Sequence, residues 1–122
     1  MMNDTTYQAI YNEIEPLLPN KWERLVIYIE YGKASYSMFF YVGKQDKMVK
    51  CYDLPDVTDN ELLTIFARID KLLSTEREKE EDKWSNMTMV VNGNDFKVFF
   101  DYTDLSISSY KYKKEWKKKY IG

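Results

Sequence analysis

Carboxylates are the most numerous groups in this chain that could do chemistry, and they gather around residues 53–61, 76–82 and 101–104. Two carboxylates at a suitable separation can run glycoside hydrolysis or hold a divalent cation. The chain has 20 acidic residues, however, and helix capping or a solvated helix end accounts for most of them. As a surface they suit a partner rich in Lys and Arg, because complementary charge speeds encounter. The acidic residues predicted to contact such a partner are Asp53, Asp56, Asp59, Glu61, Asp101 and Asp104.

The lysine-rich C-terminal segment is the second candidate. Between residues 106 and 122 six lysines stand against Glu115, so this segment carries +5 and the rest of the chain −7. Lysines interleaved with Tyr and Trp can neutralise phosphates and stack on bases, which makes a nucleic-acid-binding module the alternative function. The same pattern fits an amphipathic helix docked through Tyr112, Trp116 and Tyr120, with its lysines solvated. The acidic body argues against direct nucleic-acid binding.

Other chemistry is scarce. The chain has no histidine, which excludes Ser–His, Cys–His and His–metal arrangements, and its four glycines are isolated, so no phosphate loop is present. We therefore predict no catalysis, no cofactor and no metal. The lone Cys51 is expected to be a small core residue in a strand. No apolar run reaches the ~20 residues of a membrane span, and the N-terminus does not resemble a signal peptide, so we predict a cytoplasmic protein without a membrane partner.

A long amphipathic helix over Val57–Asp82 is the element around which the chain is organised. Thr58 and Glu61 have the spacing of a capping box, and Val57 can form a hydrophobic staple with Leu62. One apolar stripe follows at helical spacing. Its members are Leu62, Ile65, Phe66, Ile69, Leu72 and Leu73.

Residues before this helix predict a first helix and a three-stranded antiparallel meander. The first helix is expected to be capped by Asp4, Thr5 or Thr6, and to be kinked or ended early by Pro16. The predicted ranges are Asp4–Leu18 for the helix and Trp22–Gly32, Ser35–Lys44 and Met48–Leu54 for the strands.

Asn92-Gly93 predicts a hairpin between two further strands. With these two residues as the turn, Met89 lies opposite Phe96 and Met87 opposite Val98. The face predicted to be the core side carries Met87, Met89, Phe96, Val98 and Phe100.

A last helix over Ser106–Tyr120 completes a single α+β domain, residues 1–122, with about five antiparallel strands. One face of this sheet is expected to keep an aromatic, half-wet surface, which either packs under the C-terminal segment or binds a partner. The aromatic residues predicted as candidate anchors for a partner are Tyr28, Tyr41 and Tyr102.

The order of landmarks resembles the YezG-like immunity proteins, which include the EsaG type. Single pieces are unspecific, but their order and spacing match over nearly the whole chain. The departures are Pro16 within the first helix and the short, lysine-rich ending. The matching segments are Tyr7–Ile14, Leu18–Glu23, Met38–Tyr41, Tyr52–Pro55, Lys83–Trp84, Phe96–Leu105, Tyr112, Trp116 and Lys119–Tyr120.

The resemblance implies a cytoplasmic antitoxin, made beside a secreted polymorphic toxin, that protects the producing cell by binding the C-terminal domain of that toxin. Toxins of this kind are often nucleases, which tend to be basic around the substrate groove. An acidic, Tyr-rich protein is suited to bind there, with acidic groups steering encounter and aromatic groups holding the complex. The expected function is thus stoichiometric neutralisation of a basic nuclease domain, without catalysis.

Overall fold

The computed structural model describes residues 3–44, 46–106 and 108–122. Its five strands form one antiparallel sheet in the order β3-β2-β1-β4-β5, so the predicted α+β class, meander and hairpin are confirmed. The helices are α1 Asp4–Ile14, α2 Asp59–Glu78 and α3 Ser109–Tyr120. The strands are β1 Arg24–Tyr31, β2 Tyr36–Lys44, β3 Lys47–Lys50, β4 Asn86–Asn92 and β5 Asp95–Asp101.

The helices lie on both faces of the sheet. Leu25, Ile27 and Ile29 of β1 point towards α1 and α2, where Tyr31 at the end of the same strand donates a 2.7 Å hydrogen bond to Asp70 of α2. The alternate residues of β1 point towards α3, as the 5.0 Å contact between the rings of Tyr28 and Trp116 shows. Strand side chains alternate between faces, so β1 is buried from both sides.

Residues close to each end of α2 determine where this helix begins and ends. Thr58 accepts a hydrogen bond from the Glu61 N–H, and the Glu61 carboxylate accepts one from the Thr58 N–H, which is the predicted capping box. The helix ends at Glu78, short of the predicted Asp82, because the charged residues beyond Leu73 offer no apolar face to bury. Leu72 is 38% exposed and lies outside the buried stripe.

The N-terminal helix differs from its prediction in its N-cap, but it ends early, before Pro16, as predicted. Its N-cap is Asn3, whose side chain accepts a 3.2 Å hydrogen bond from the Thr6 N–H, so the predicted caps Asp4, Thr5 and Thr6 are wrong. The α-helix ends at Ile14 and tightens into a 3₁₀ turn that contains Pro16. Proline has no N–H to continue the α-helical hydrogen bonds, which accounts for the early end.

The hairpin register is offset from the prediction. Met89 lies opposite Val98 and Met87 opposite Phe100, because the two turn residues are Gly93-Asn94. A turn over Asn92-Gly93 needs positive φ at both residues, whereas Gly93 (φ +58°) is the one that adopts it here. The offset of two residues preserves the faces, since side chains alternate with a period of two.

Strand β5 lies at the edge of the sheet, and this changes the predicted core. Met87 and Met89 on β4 are buried, and Val98 is half-buried. Phe96 is 42% exposed and Phe100 36% exposed, so they lie on the predicted face with Met87 and Met89 but are not part of the buried core. No strand of the described chain pairs with the outer side of β5, which leaves both rings at the rim of the sheet.

Candidate protein-binding surfaces

The acidic residues around the start of α2 remain at the surface. Asp53, Asp56 and Asp59 are exposed, and none forms an ion pair or hydrogen bond with a side chain of the described chain. Glu61 is also exposed, but its carboxylate is engaged in the capping box. Three of the four predicted contacts are therefore free to meet a partner, while the fourth has a structural role.

A cleft of about 310 Å³ with a mixed polar and apolar lining adjoins this acidic group. Leu17 and Leu18, which follow α1, form one wall, and Leu54 and Val57 belong to the other. Asp56 and Glu61 also line it, so the cleft combines apolar walls with carboxylates. Such a site fits a Lys or Arg side chain, because the aliphatic stem can pack while the charged end meets a carboxylate.

Asp101 and Asp104 do not join this group. Asp53 follows β3 at one edge of the sheet, whereas Asp101 ends β5 at the opposite edge, four strand spacings away. At about 4.8 Å per spacing this separation is roughly 19 Å. The predicted acidic contacts thus form two separate surfaces.

Hydrogen bonds hold both of these carboxylates. Thr103 and the Tyr112 hydroxyl donate to Asp101, at 2.6 Å in each case from a hydroxyl oxygen, and these bonds lower the pKa of the Asp101 carboxyl. The Ser106 N–H donates to Asp104 at 3.0 Å, and bonding to Ser106 lowers the pKa of that carboxyl. Asp101 is half-buried and links β5 to α3, so it supports the fold as well as carrying charge.

The predicted aromatic anchors lie in different environments. Tyr102 is 59% exposed beside Asp101 and is available to a partner. Tyr28 is fully buried and Tyr41 nearly so, because both rings pack against Trp116 of α3. Of the three anchors, Tyr102 alone can touch a partner while α3 stays docked.

The C-terminal helix covers the aromatic face of the sheet, so this surface packs under α3. Trp116 donates a buried 2.8 Å hydrogen bond to Thr88 Oγ1, and the Tyr120 ring lies 5.4 Å from the Trp116 ring. Arg24 donates to the Tyr120 carbonyl at 3.0 Å, near the end of the helix. The rings of Tyr112, Trp116 and Tyr120 are thus used in the fold and are not available to stack on nucleic-acid bases, whereas Tyr110 is 81% exposed. The helix begins at Ser109 and not at Ser106.

Cys51 lies in a 3₁₀ turn, Cys51–Asp53, and not in the predicted strand, because β3 ends at Lys50. Its thiol is fully buried, and burial raises its pKa, which disfavours the reactive thiolate. Within residues 3–44, 46–106 and 108–122, no group of three or more His, Cys, Asp or Glu could hold a metal ion. No helix in the described ranges is long and apolar enough to cross a bilayer.

The sequence reasoning missed the exposed aromatic side chains of β5. Phe96, Phe99 and Phe100 are each between 36% and 44% exposed. The signal in the sequence is that aromatic residues occur on both faces of this strand. Phe96 and Phe100 were predicted on the core side because the sequence does not determine the order of strands in the sheet.

Comparison with known proteins agrees with the landmarks along the chain. The model of the family described as "Immunity protein YezG-like" matches residues 3–122. Immunity protein YezG of Bacillus spizizenii is 22% identical over 112 residues, covering 84% of this chain and 70% of that protein. Immunity protein YezG of Bacillus subtilis (strain 168) is 20% identical, covering 84% and 74%. The chain therefore belongs to the YezG-like immunity protein family.

Proposed function

We propose that this protein neutralises the C-terminal domain of a cognate secreted toxin by binding it stoichiometrically in the cytoplasm of the producing cell. The toxin domain is a nuclease with a basic surface, and inhibition requires no catalysis by the immunity protein. Family membership supports the immunity role. The acidic character of the chain outside its C-terminal segment supports a basic partner such as a nuclease domain.

The observation that carries the proposal is the exposed carboxylates of Asp53, Asp56 and Asp59, which have no side-chain partner among the described residues and lie beside the cleft. The chain outside its C-terminal segment has a net charge of −7, so a basic domain is attracted over a distance of about one Debye length, ~8 to 10 Å at physiological salt. Charges of this kind act mainly on the association rate. We propose that these carboxylates steer the toxin domain during encounter and that apolar contacts hold the complex once it has formed.

The proposal is tested with the toxin domain encoded beside this gene. Association is followed by stopped flow at two salt concentrations, for the wild type and for Asp56→Lys/Asp59→Lys. The double variant should associate about tenfold more slowly and show a weaker salt dependence. Glu61 is left unchanged, because replacing it also breaks the capping box.

Glu23→Lys/Asp46→Lys is the matched control. It makes the same charge change at two exposed residues next to the β2–β3 turn, away from both Asp56 and strand β5. If both double variants slow association equally, net charge and not the Asp56 surface steers the toxin. If neither changes the rate, the acidic surface has no part in binding.

A further inference from the structure

Strand β5 has a free backbone edge. The Ser85 N–H donates to the Asp101 carbonyl at 2.8 Å, so the backbone groups of Asp101 point towards β4. Backbone groups alternate in direction along a strand, which places the N–H and C=O groups of Phe96, Val98 and Phe100 on the outer side. In the part of the chain that the structure describes, no hydrogen bond outside the sheet ladder reaches the backbone of these three residues.

The two edge strands of the sheet, β3 and β5, differ in how well they are protected against pairing with a strand of another molecule. Strand β3 is four residues long and has a lysine at each end, both of which discourage pairing with another strand. Strand β5 is seven residues long and exposes the rings of Phe96, Phe99 and Phe100. A long apolar edge promotes aggregation unless a partner covers it. The unprotected edge of this sheet is therefore β5.

Clefts flank β5 on both faces of the sheet. On the α1 side, Tyr7 and Trp22 line a cleft of about 250 Å³ that reaches Phe96. On the α3 side, a cleft of about 320 Å³ is lined by Phe99 and Asp101 among others. The side chains of an added strand alternate between the two faces. Because the first cleft adjoins Phe96 and the second adjoins Phe99 and Asp101, residues near opposite ends of the added strand would enter the two clefts.

Charge disfavours a second copy of this chain as the occupant. In the antiparallel self-pairing that uses all of β5, Asp95 lies opposite Asp101 of the other copy at both ends of the strand. Like charges directly opposite each other are destabilising. A shifted pairing that sets Lys97 against Asp101 gives up the Phe96 end of the strand. A basic partner strand has neither problem.

We propose that the toxin domain docks by adding an extended segment to the β5 edge, Asp95–Asp101, with Lys or Arg side chains opposite Asp95 and Asp101. This inference rests on the proposed immunity function and assigns it a surface. Main-chain hydrogen bonds to Phe96, Val98 and Phe100 supply affinity, and the two flanking clefts supply specificity. The acidic residues at the start of α2 then increase the rate of association but do not contact the toxin in the docked complex.

Hydrogen exchange followed by NMR tests the proposal on the unaltered protein, free and saturated with the toxin domain. The amides of Phe96, Val98 and Phe100 should exchange about tenfold or more slowly in the complex. The Met48 amide is the control on the opposite edge, and its rate should not change. Its partner Gly43 directs its carbonyl to Glu23 at 3.0 Å, so the Met48 amide faces outwards. A complex in which the three β5 amides exchange at the free rate overturns the assignment.

Proline substitution provides a second test. Val98→Pro removes an outward N–H and keeps the hydrogen bonds to β4, so the variant should unfold near the wild-type temperature but bind the toxin about tenfold or more weakly. Met48→Pro on the β3 edge should bind normally. If Val98→Pro binds as the wild type does, or instead dissociates a dimer of this chain without affecting toxin binding, the toxin-strand proposal is wrong. If the wild type forms no complex, the proposed function itself fails, and the edge assignment falls with it.

Discussion

The Tyr112 hydroxyl donates a 2.6 Å hydrogen bond to the Asp101 carboxylate and thereby joins α3 to the last residue of β5. The same hydroxyl lies 3.1 Å from Asn86 Oδ1 on β4. This contact fastens the C-terminal helix at the corner of the sheet where the exposed edge strand ends. The lysine-rich helix and the candidate binding edge are thus parts of one structure.

Tyr112→Phe should lower the free energy of unfolding by roughly 1 to 2 kcal/mol, because it leaves a half-buried carboxylate without one of its donors. The hydrogen bonds lower the pKa of the Asp101 carboxyl below its ordinary 3.8. Their contribution to the free energy of unfolding is therefore fully present above pH 3.8 and is lost as the pH falls through the folded-state pKa. Urea unfolding at neutral and acidic pH measures this. Tyr110→Phe is the control, since Tyr110 is 81% exposed and should change stability by less than ~0.5 kcal/mol. An equal loss in both variants contradicts the role of the Asp101 bond.

Tyr28, which is buried, and Tyr31, which is half-buried, should titrate late in alkali. Burial, followed by a hydrogen bond to a carboxylate, raises the pKa of Tyr28 and of Tyr31 above the ordinary 10.0. Their contribution to stability is therefore full below pH ~10 and is lost as the pH rises through the folded-state values. Tyrosinate absorbance during a pH titration should show a late phase that coincides with unfolding. Tyr28→Phe and Tyr31→Phe should each remove amplitude from that phase, and removal from the early phase instead contradicts the assignment.

Burial raises the pKa of Tyr112 to about 12, with the hydrogen bond to Asp101 as the next cause. The group is uncharged when protonated, so the α3–sheet contact persists below pH ~10 and weakens as the pH rises towards 12. In the absorbance titration, Tyr112→Phe should remove a step near pH 12, ahead of the phase assigned to Tyr28 and Tyr31.

Trp116→Ala should destabilise the protein by about 3 to 5 kcal/mol, since it empties the centre of the aromatic cluster beneath α3. Trp116→Phe keeps part of the packing but leaves Thr88 without its buried 2.8 Å donor, so a smaller loss is expected. Lys118→Ala, on the exposed side of the helix, is the control. Thermal unfolding ranks the three variants, and a Trp116→Ala protein as stable as the control would rule out docking of α3 through this ring.

Thr58→Ala should cost about 1 kcal/mol, because it removes the side chain that caps α2. Thr64→Ala inside the same helix should be nearly neutral, since Thr64 is exposed and alanine is the better helix former. Urea unfolding of the two variants gives the comparison. Equal effects at the two sites would mean that the capping box does not contribute to stability.

Features that depend on a few neighbouring residues could be predicted from the sequence. The capping box of Thr58 and Glu61 is satisfied within one helical turn, and the face of α3 with Tyr112 and Trp116 follows from helical spacing. The hairpin was placed correctly to within one residue of its turn. In each case the controlling physics is local.

Features that depend on pairing between strands far apart in the sequence could not be predicted. The pairing of β1 with β4 brings together segments separated by the whole of α2, and it alone decides that β5 is an edge. That decision exposes Phe96 and Phe100, and it separates Asp101 from Asp53. Tyr28 was a reasonable surface anchor until α3 was placed over it. Sheet order therefore decides which of the predicted contact residues share a surface.

The most direct test of the central claim is a titration of the toxin domain's activity with this protein, with the complex isolated at the end point. Stoichiometric immunity predicts that activity falls linearly and reaches its floor at a fixed, small-integer ratio, with a stable complex recovered. The contradicting result is an active toxin in excess immunity protein, with no complex, together with salt-sensitive RNA binding by the isolated protein. That outcome would shift the function to the lysine-rich C-terminal helix.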